Sequence, residues 1–255
     1  MLLAVDIGNT NISCGIFPVI SRSGNGSKII NKFDLPTKQY SGNKLLRKLK
    51  SLKITDALIC SVVPKATKII AKDLTKIVGA RPYIIGKDIQ VPIRNLYHKP
   101  RQVGQDRLVN AYAACQFYAA PLVVIDSGTA ITFDVISRNK AYLGGLITPG
   151  MEISLAVLSE KTALLPQIKL HAPGMLIGRD TKNSILSGIV FGTAELCDGL
   201  IRRIKQYLGK GTLVIGTGGN ICLIKKYSKI HIKIDRDLTL KGINLIYENG
   251  IKQDI

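Results

Sequence analysis

The feature that most constrains this chain is a turn that occurs twice. Leu2-Leu3-Ala4-Val5 is an apolar run that reads as a buried strand. It delivers Asp6 into Ile7-Gly8-Asn9-Thr10-Asn11, where a glycine is followed by small polar residues. The same order returns in Leu122-Val123-Val124-Ile125-Asp126-Ser127-Gly128-Thr129. Such a turn exposes backbone N–H groups and hydroxyls where glycine allows close approach, a setting that holds phosphate oxygens beside a cation. One copy would carry little, because Asp-x-Gly is common in plain turns. Two copies, one in each half-chain, predict one fold used twice around a shared nucleotide.

Composition narrows the alternatives. The 255 residues can bury a sizeable core, and an apolar share of 46% excludes a disordered chain. No continuous apolar run approaches the roughly 20 residues that span a bilayer. The first apolar run ends in Asp6 with no basic segment before it, which reads as a strand and not a signal peptide. Cys14, Cys60, Cys115, Cys197 and Cys222 are odd in number and form no Cys-x-x-Cys pair, which disfavours metal clusters and disulfide frameworks. His98, His171 and His231 show no metal spacing either. A cytoplasmic protein with no membrane association is the expectation. The formal charge of +19 raises nucleic acid as a partner. The bases are diffuse, however, and aromatics make up only 5%, so stacking platforms are poorly supplied and nucleic acid is disfavoured.

In the first half, strands are expected at 12–20 and 29–35 after the first turn, joined by a Gly/Ser hairpin loop at 21–28. A helix around 44–53 carries Leu45, Leu46, Leu49 and Leu52 on one face. A buried strand at 55–63 ends at Pro64, which also suits the first turn of a helix over 65–78. A strand at 82–85 closes the series. The element order is similar to the ribonuclease-H-like half of an actin-like kinase.

Val103-Gly104-Gln105-Asp106-Arg107-Leu108 is a second centre, at the start of a helix reaching about Tyr118. A carboxylate there can accept a proton from a substrate hydroxyl, and a neighbouring guanidinium can grip a carboxylate bidentately. Equally, Asp106 can be a helix cap with Arg107 its surface partner. The second half repeats the meander with strands at 122–126, 131–137 and 141–148, then a helix at 151–159. A long helix opens after Gly178-Arg179-Asp180-Thr181 and runs to about Leu208. A strand at 213–215 then feeds Thr217-Gly218-Gly219-Asn220, and a helix at 238–247 closes the chain. Thr181 alone reads as an N-cap, and Gly218-Gly219 as a bend or an approach to a nucleoside.

The chain resembles the type III pantothenate kinases of the acetate and sugar kinase, Hsp70 and actin superfamily. The resemblance rests on Asp6-Ile7-Gly8-Asn9-Thr10, Val103 to Asn110, Asp126 to Thr132, Gly144-Gly145-Leu146-Ile147-Thr148-Pro149-Gly150, Ile177 to Thr181, and Gly216-Thr217-Gly218-Gly219-Asn220. It implies an α/β fold of two ribonuclease-H-like domains, 1–118 and 119–255, each a mixed sheet flanked by helices, with the site in the cleft between them. It also implies ATP-dependent phosphorylation of pantothenate, with Asp106 as the proton acceptor. Asp6, Ile7, Gly8, Asn9, Thr10, Asn11, Ile12, Ser13, Thr129, Gly218 and Gly219 would bind ATP. Tyr97, Gly104, Gln105, Asp106, Arg107 and Thr181 would bind pantothenate. Asp6 would organise magnesium through water, and Asp126 would hold a monovalent cation, potassium or ammonium. A homodimer is implied too. Relatives usually read Gly-Ala-Asp-Arg at 104–107, so Gln105 either points away from the site or narrows it. A phosphohydrolase of the superfamily, or a non-catalytic regulator like the Bvg accessory factors, is the alternative.

Overall fold

The computed structural model describes residues 1–18 and 28–250. Two five-stranded mixed sheets are built the same way. In the first, β1 (Leu2–Ile7), β2 (Asn11–Phe17) and β3 (Asn31–Pro36) form an antiparallel meander. β4 (Asp56–Ser61) and then β5 (Tyr83–Ile84) add in parallel on the other side of β1. The order is β3-β2-β1-β4-β5. In the second, β6 (Leu122–Ser127), β7 (Ala130–Ile136) and β8 (Tyr142–Pro149) repeat the meander. β9 (Leu213–Thr217) and β10 (Lys233–Ile234) repeat the parallel additions. The hairpin loop expected at 21–28 lies outside the described residues, apart from Lys28.

Alternation along β1 decides what covers each face of the first sheet. Leu3, Val5 and Ile7 join Leu45 and Leu49 of α1 (Gly42–Leu49) and Ile70 and Leu74 of α2 (Pro64–Val78) in one core. Leu46, expected on that face, is turned outward and 47% exposed, because a short helix buries only residues four apart on a narrow stripe. The opposite face is covered by α7 (Leu238–Gly250), which packs against β1, β2 and β4. Beside it runs α3 (Gln105–Phe117), buried nearly all round. Gly242 of α7 brings the two helices together, since a Cβ there would lie 2.7 Å from Val109 Cγ1 and 2.9 Å from the Val109 carbonyl oxygen.

The chain forms two compact units, but not by a single cut at 118. The first comprises 1–93, 98–116 and the segment from Asp237 onward; the second comprises Arg94–Tyr97 and Phe117–Arg236. The closing helix belongs with the first sheet because its apolar face, including Leu240, Ile243 and Ile246, is buried there.

In the second unit one sheet face packs on α5 (Thr181–Leu208) and α6 (Ile221–Tyr227), with Met151 of α4 (Met151–Lys161) in the same core. Alone among the helices of the described residues, α5 is long and apolar enough to cross a membrane. Its Leu186, Val190, Ala194, Cys197, Ile201 and Ile204 are buried in the protein's own core. Neither α6 nor β10 was foreseen from sequence. All five cysteines are free thiols, and only Cys222 is exposed.

Candidate active site

Asp6, the penultimate residue of β1, lies on the face away from the α1 and α2 core, level with Cys60 on β4 and Ser13 on β2. The turn that follows is closed by the Gly8 N–H donating to the Asn11 carbonyl at 2.9 Å. Asn9, Thr10 and Asn11 are exposed, whereas Ile7 and Ile12 are buried in the core. The two isoleucines can therefore reach a ligand only through their backbone. Ser13 is engaged, its hydroxyl donating to Asp34 Oδ1 at 2.6 Å.

Asp106 lies in the first turn of α3, close to that same end of the sheet. Gly104, just before it, would with a Cβ contact Val62 beyond the end of β4 at 3.7 Å. The buried Cys60 thiol registers both acids: burial first, then the charges of Asp6 and Asp106, hold its pKa well above the usual thiol range. Both carboxylates are thus within electrostatic reach of one thiol in the first unit. Burial raises the pKa of Asp106 above 3.8, against the opposing hydrogen bond from the Arg107 N–H (2.8 Å) and the Arg107 charge. A carboxyl raised in this way is a better proton acceptor than an exposed one. The Asp106 carboxylate folds back over Gly104, where a Cβ would collide with Oδ1. Arg107 is a buried guanidinium, 8% exposed, and not a surface partner. Gln105 lies against Gly86, whose φ of +83° only glycine adopts easily; a Cβ there would come within 2.6 Å of the Gln105 amide carbon.

The second unit gathers its own set. Asp126, the penultimate residue of β6, pairs with Thr217 of β9. Gly218, at φ +90°, lets the Thr217–Asn220 turn close over the Asp126 turn: a Cβ on it would sit 2.5 Å from Asp126 Oδ1 and 2.6 Å from the Ser127 carbonyl oxygen. The Asn220 N–H donates to that carbonyl at 3.1 Å. Thr129 and Gly219 are exposed at the tips of these two turns.

Tyr97 belongs to this unit through a short edge bridge. The Leu96 N–H donates to the Tyr142 carbonyl at 2.9 Å, and the Tyr142 N–H to the Arg94 carbonyl at 2.8 Å. The Tyr97 ring lies over Gly144, and Tyr142 is anchored by its hydroxyl donating to buried Asp134 at 3.0 Å. Sequence gave no sign of this seat, because Asp134 and Tyr142 read as ordinary strand residues. Thr181 is the first residue of α5, but Asp180 is the N-cap, accepting from the Asn183 N–H at 2.9 Å. The N-cap role open to Thr181 in sequence is therefore filled by its neighbour. Of the residues expected from sequence to bind pantothenate, Gly104, Gln105, Asp106 and Arg107 lie in the first unit, and Tyr97 and Thr181 in the second.

Comparison with known proteins identifies the family. Residues 2–203 match the sequence profile of the type III pantothenate kinases. The chain is 40% identical over 258 residues to the type III pantothenate kinase of Finegoldia magna, covering 96% of each. It is 37% identical to that of Agathobacter rectalis over the full length of both. In fold it is similar to a conserved Baf family transcriptional activator from Campylobacter jejuni, with a TM-score of 0.59, 21% identity, and 98% of this chain and 99% of that one covered. It is also similar to the activator of 2-hydroxyisocaproyl-CoA dehydratase from Clostridium difficile, solved with ADPNP, with a TM-score of 0.58, 13% identity, and 99% and 97% covered. With a family profile matched over most of the chain and kinases of that name aligned end to end, the chain belongs to the type III pantothenate kinase family.

Proposed function

We propose that this chain phosphorylates the primary hydroxyl of pantothenate with ATP, giving 4′-phosphopantothenate for coenzyme A biosynthesis. Asp106 accepts or orients the hydroxyl proton, and Arg107 holds the pantothenate carboxylate; Tyr97, Gly104, Gln105 and Thr181 are the other residues we assign to pantothenate. The turns after Asp6 and Asp126, with Gly218 and Gly219, bind ATP. The observation that carries these roles is one of position: Asp6 is level with Cys60 on β4, and Asp106 folds over Gly104, whose neighbour is Val62 just past the end of β4. A carboxylate for the phosphate-bound metal and a proton-accepting carboxylate at one end of a sheet suit phosphoryl transfer, which needs alignment and charge neutralisation above all. The hydrolase and regulator alternatives are not favoured, since relatives aligned over nearly the whole chain are named kinases.

The activity uses a divalent metal with ATP. Among the described residues no group of three or more His, Cys, Asp or Glu forms a metal cage. Single carboxylates beside small polar groups fit magnesium, which keeps its waters and is held largely by phosphate oxygens. When bound, the ion offsets the charge on the phosphates. Asp6 is the carboxylate we assign to it, and Asp126 to potassium or ammonium. We also propose a homodimer in the cytoplasm. Its support is the exposed apolar surface of the second unit, where Leu164 is 92%, Ile177 78% and Ile147 63% exposed.

The test is incubation with ATP, magnesium, potassium and pantothenate, with mass-spectrometric detection of product. Phosphopantothenate from the wild type, and its loss in Asp106→Asn, is the expected result. Phosphate released without phosphopantothenate would instead identify a hydrolase.

A further inference from the structure

Each acidic turn is held from behind by the residue that follows a proline. β3 ends at Pro36, opposite Asn11, and β8 ends at Pro149, opposite Ala130. At these two pairs the ladder bond is made by the N–H of the next residue, which reaches the turn, and each proline, which has no N–H, stands where none is needed. In the first unit that donor is the Thr37 N–H, 2.9 Å from the Thr10 carbonyl oxygen. In the second it is the Gly150 N–H, 3.1 Å from the Thr129 carbonyl oxygen.

The side chains at these two places differ, and each fits its own turn. The Thr37 hydroxyl donates a further hydrogen bond, 2.7 Å, to the Gly8 carbonyl. One residue thus holds two carbonyls of the three-residue turn 8–10. At Gly150 a side chain is excluded, because a Cβ would collide with the carbonyl oxygens of Gly128 and Thr129. In both turns the groups tied back are carbonyl oxygens, which carry negative partial charge and would repel a phosphate if they rotated toward it. Fixing those peptides fixes the N–H groups of the same turn for an anion.

We propose that Thr37 and Gly150 are positioning residues for ATP, acting through the peptides of Gly8, Thr10, Gly128 and Thr129. The proposal rests on the assignment of those turns to ATP. The test is steady-state kinetics of Thr37→Val, which keeps the shape and removes the hydroxyl, beside Thr37→Ser, which restores it. Thr37→Val should raise the KM for ATP about five- to tenfold, the worth of one hydrogen bond, and leave the KM for pantothenate within twofold. Thr37→Ser should return the ATP value to within twofold of wild type. Gly150→Ala should show the same one-sided loss, larger because backbone must move. An ATP KM within twofold of wild type in Thr37→Val, an equal rise for both substrates, or no rescue by serine would overturn the proposal. Asp6→Asn separates the two levels. If it weakens ATP use and Thr37→Val does not, only the strap fails; if Asp6→Asn is also silent, the turn is not the ATP site and both fail. Should Thr37→Val not fold, the serine variant alone decides: an ATP KM raised fivefold or more despite an intact hydroxyl overturns the proposal, and one within twofold sustains it.

Discussion

Asp106 joins reactivity to instability in one side chain. Burial raises its pKa in the folded protein, so folding favours the neutral form. The associated stability is complete below the ordinary carboxylate value and is lost as pH rises through the folded value. Near neutral pH the ionised group therefore opposes folding. Asp106→Asn should lower turnover by about 10²- to 10⁴-fold while leaving the melting temperature unchanged or higher, with the gain larger at pH 7.5 than at pH 4. A melting temperature that drops equally at both pH values would contradict this account. For the same reason the acid limb of the kcat/KM profile should titrate above 3.8. Gln105 makes a separate residue-scale case. Gly86→Ala combines a positive φ with a collision against the Gln105 amide, so it should destabilise by about 1–3 kcal/mol. Adding Gln105→Ala should recover the steric part, leaving only the backbone strain, and a double-mutant cycle from urea melts measures the difference. Asp6 and Asp126 were legible as residues because each follows an apolar run and stands two places before a glycine, and Asp106 because it opens a helix beside Gly104 and Arg107. The direction of Gln105 was not, since it is set by a glycine 19 positions earlier that no local pattern connects to it.

At the scale of elements, the two meanders and the helices over 64–78, 105–117 and 181–208 were legible from period and punctuation: apolar runs, Pro64 and the glycine turns. What failed were elements too short or too basic to show a period. β10 has two residues, and α6 has seven, of which Lys225 and Lys226 fall in its last turn. α6 is fixed by tertiary contacts that sequence does not display, with Ile221 and Ile224 in the core and Asp198 of α5 accepting from Ser228 and the Lys229 N–H just beyond it. Contact likewise governs Gly242. On helix propensity alone, Gly242→Ala should stabilise by about 1 kcal/mol. The alanine methyl would instead press on the Val109 carbonyl, a backbone atom that cannot rotate away. Overpacking should win, giving a net loss of about 1–2 kcal/mol in denaturant midpoint measurements. Because α3 also carries Asp106, turnover should fall with it.

The whole molecule is two copies of one topology that are not two consecutive pieces of chain. After the second sheet is complete, the chain returns to cover the first with α7. Reading the chain in order could not reveal this, because the closing helix has an unremarkable amphipathic pattern and nothing in it names the sheet it will cover. The consequence is testable by truncation after Arg236. Leu238, Leu240, Ile243, Ile246 and Tyr247 are all buried, none more than 4% exposed. Burying five such side chains contributes on the order of 10 kcal/mol, the size of a typical domain's entire stability. Thr239 and Asn249 also bond Asn110 and Tyr112 of α3, at 2.7 and 2.9 Å, and those partners would lose them. The shortened chain should therefore fail to hold its first sheet, although strands β1–β5 and helices α1–α3 are all present. Hydrogen exchange should show peptides from β1, β2 and β4 losing protection while those from β6, β7 and α5 keep theirs. If instead the first-sheet peptides remain protected in the truncated chain, the unit is complete without α7, and a continuous division near residue 118 describes the molecule better.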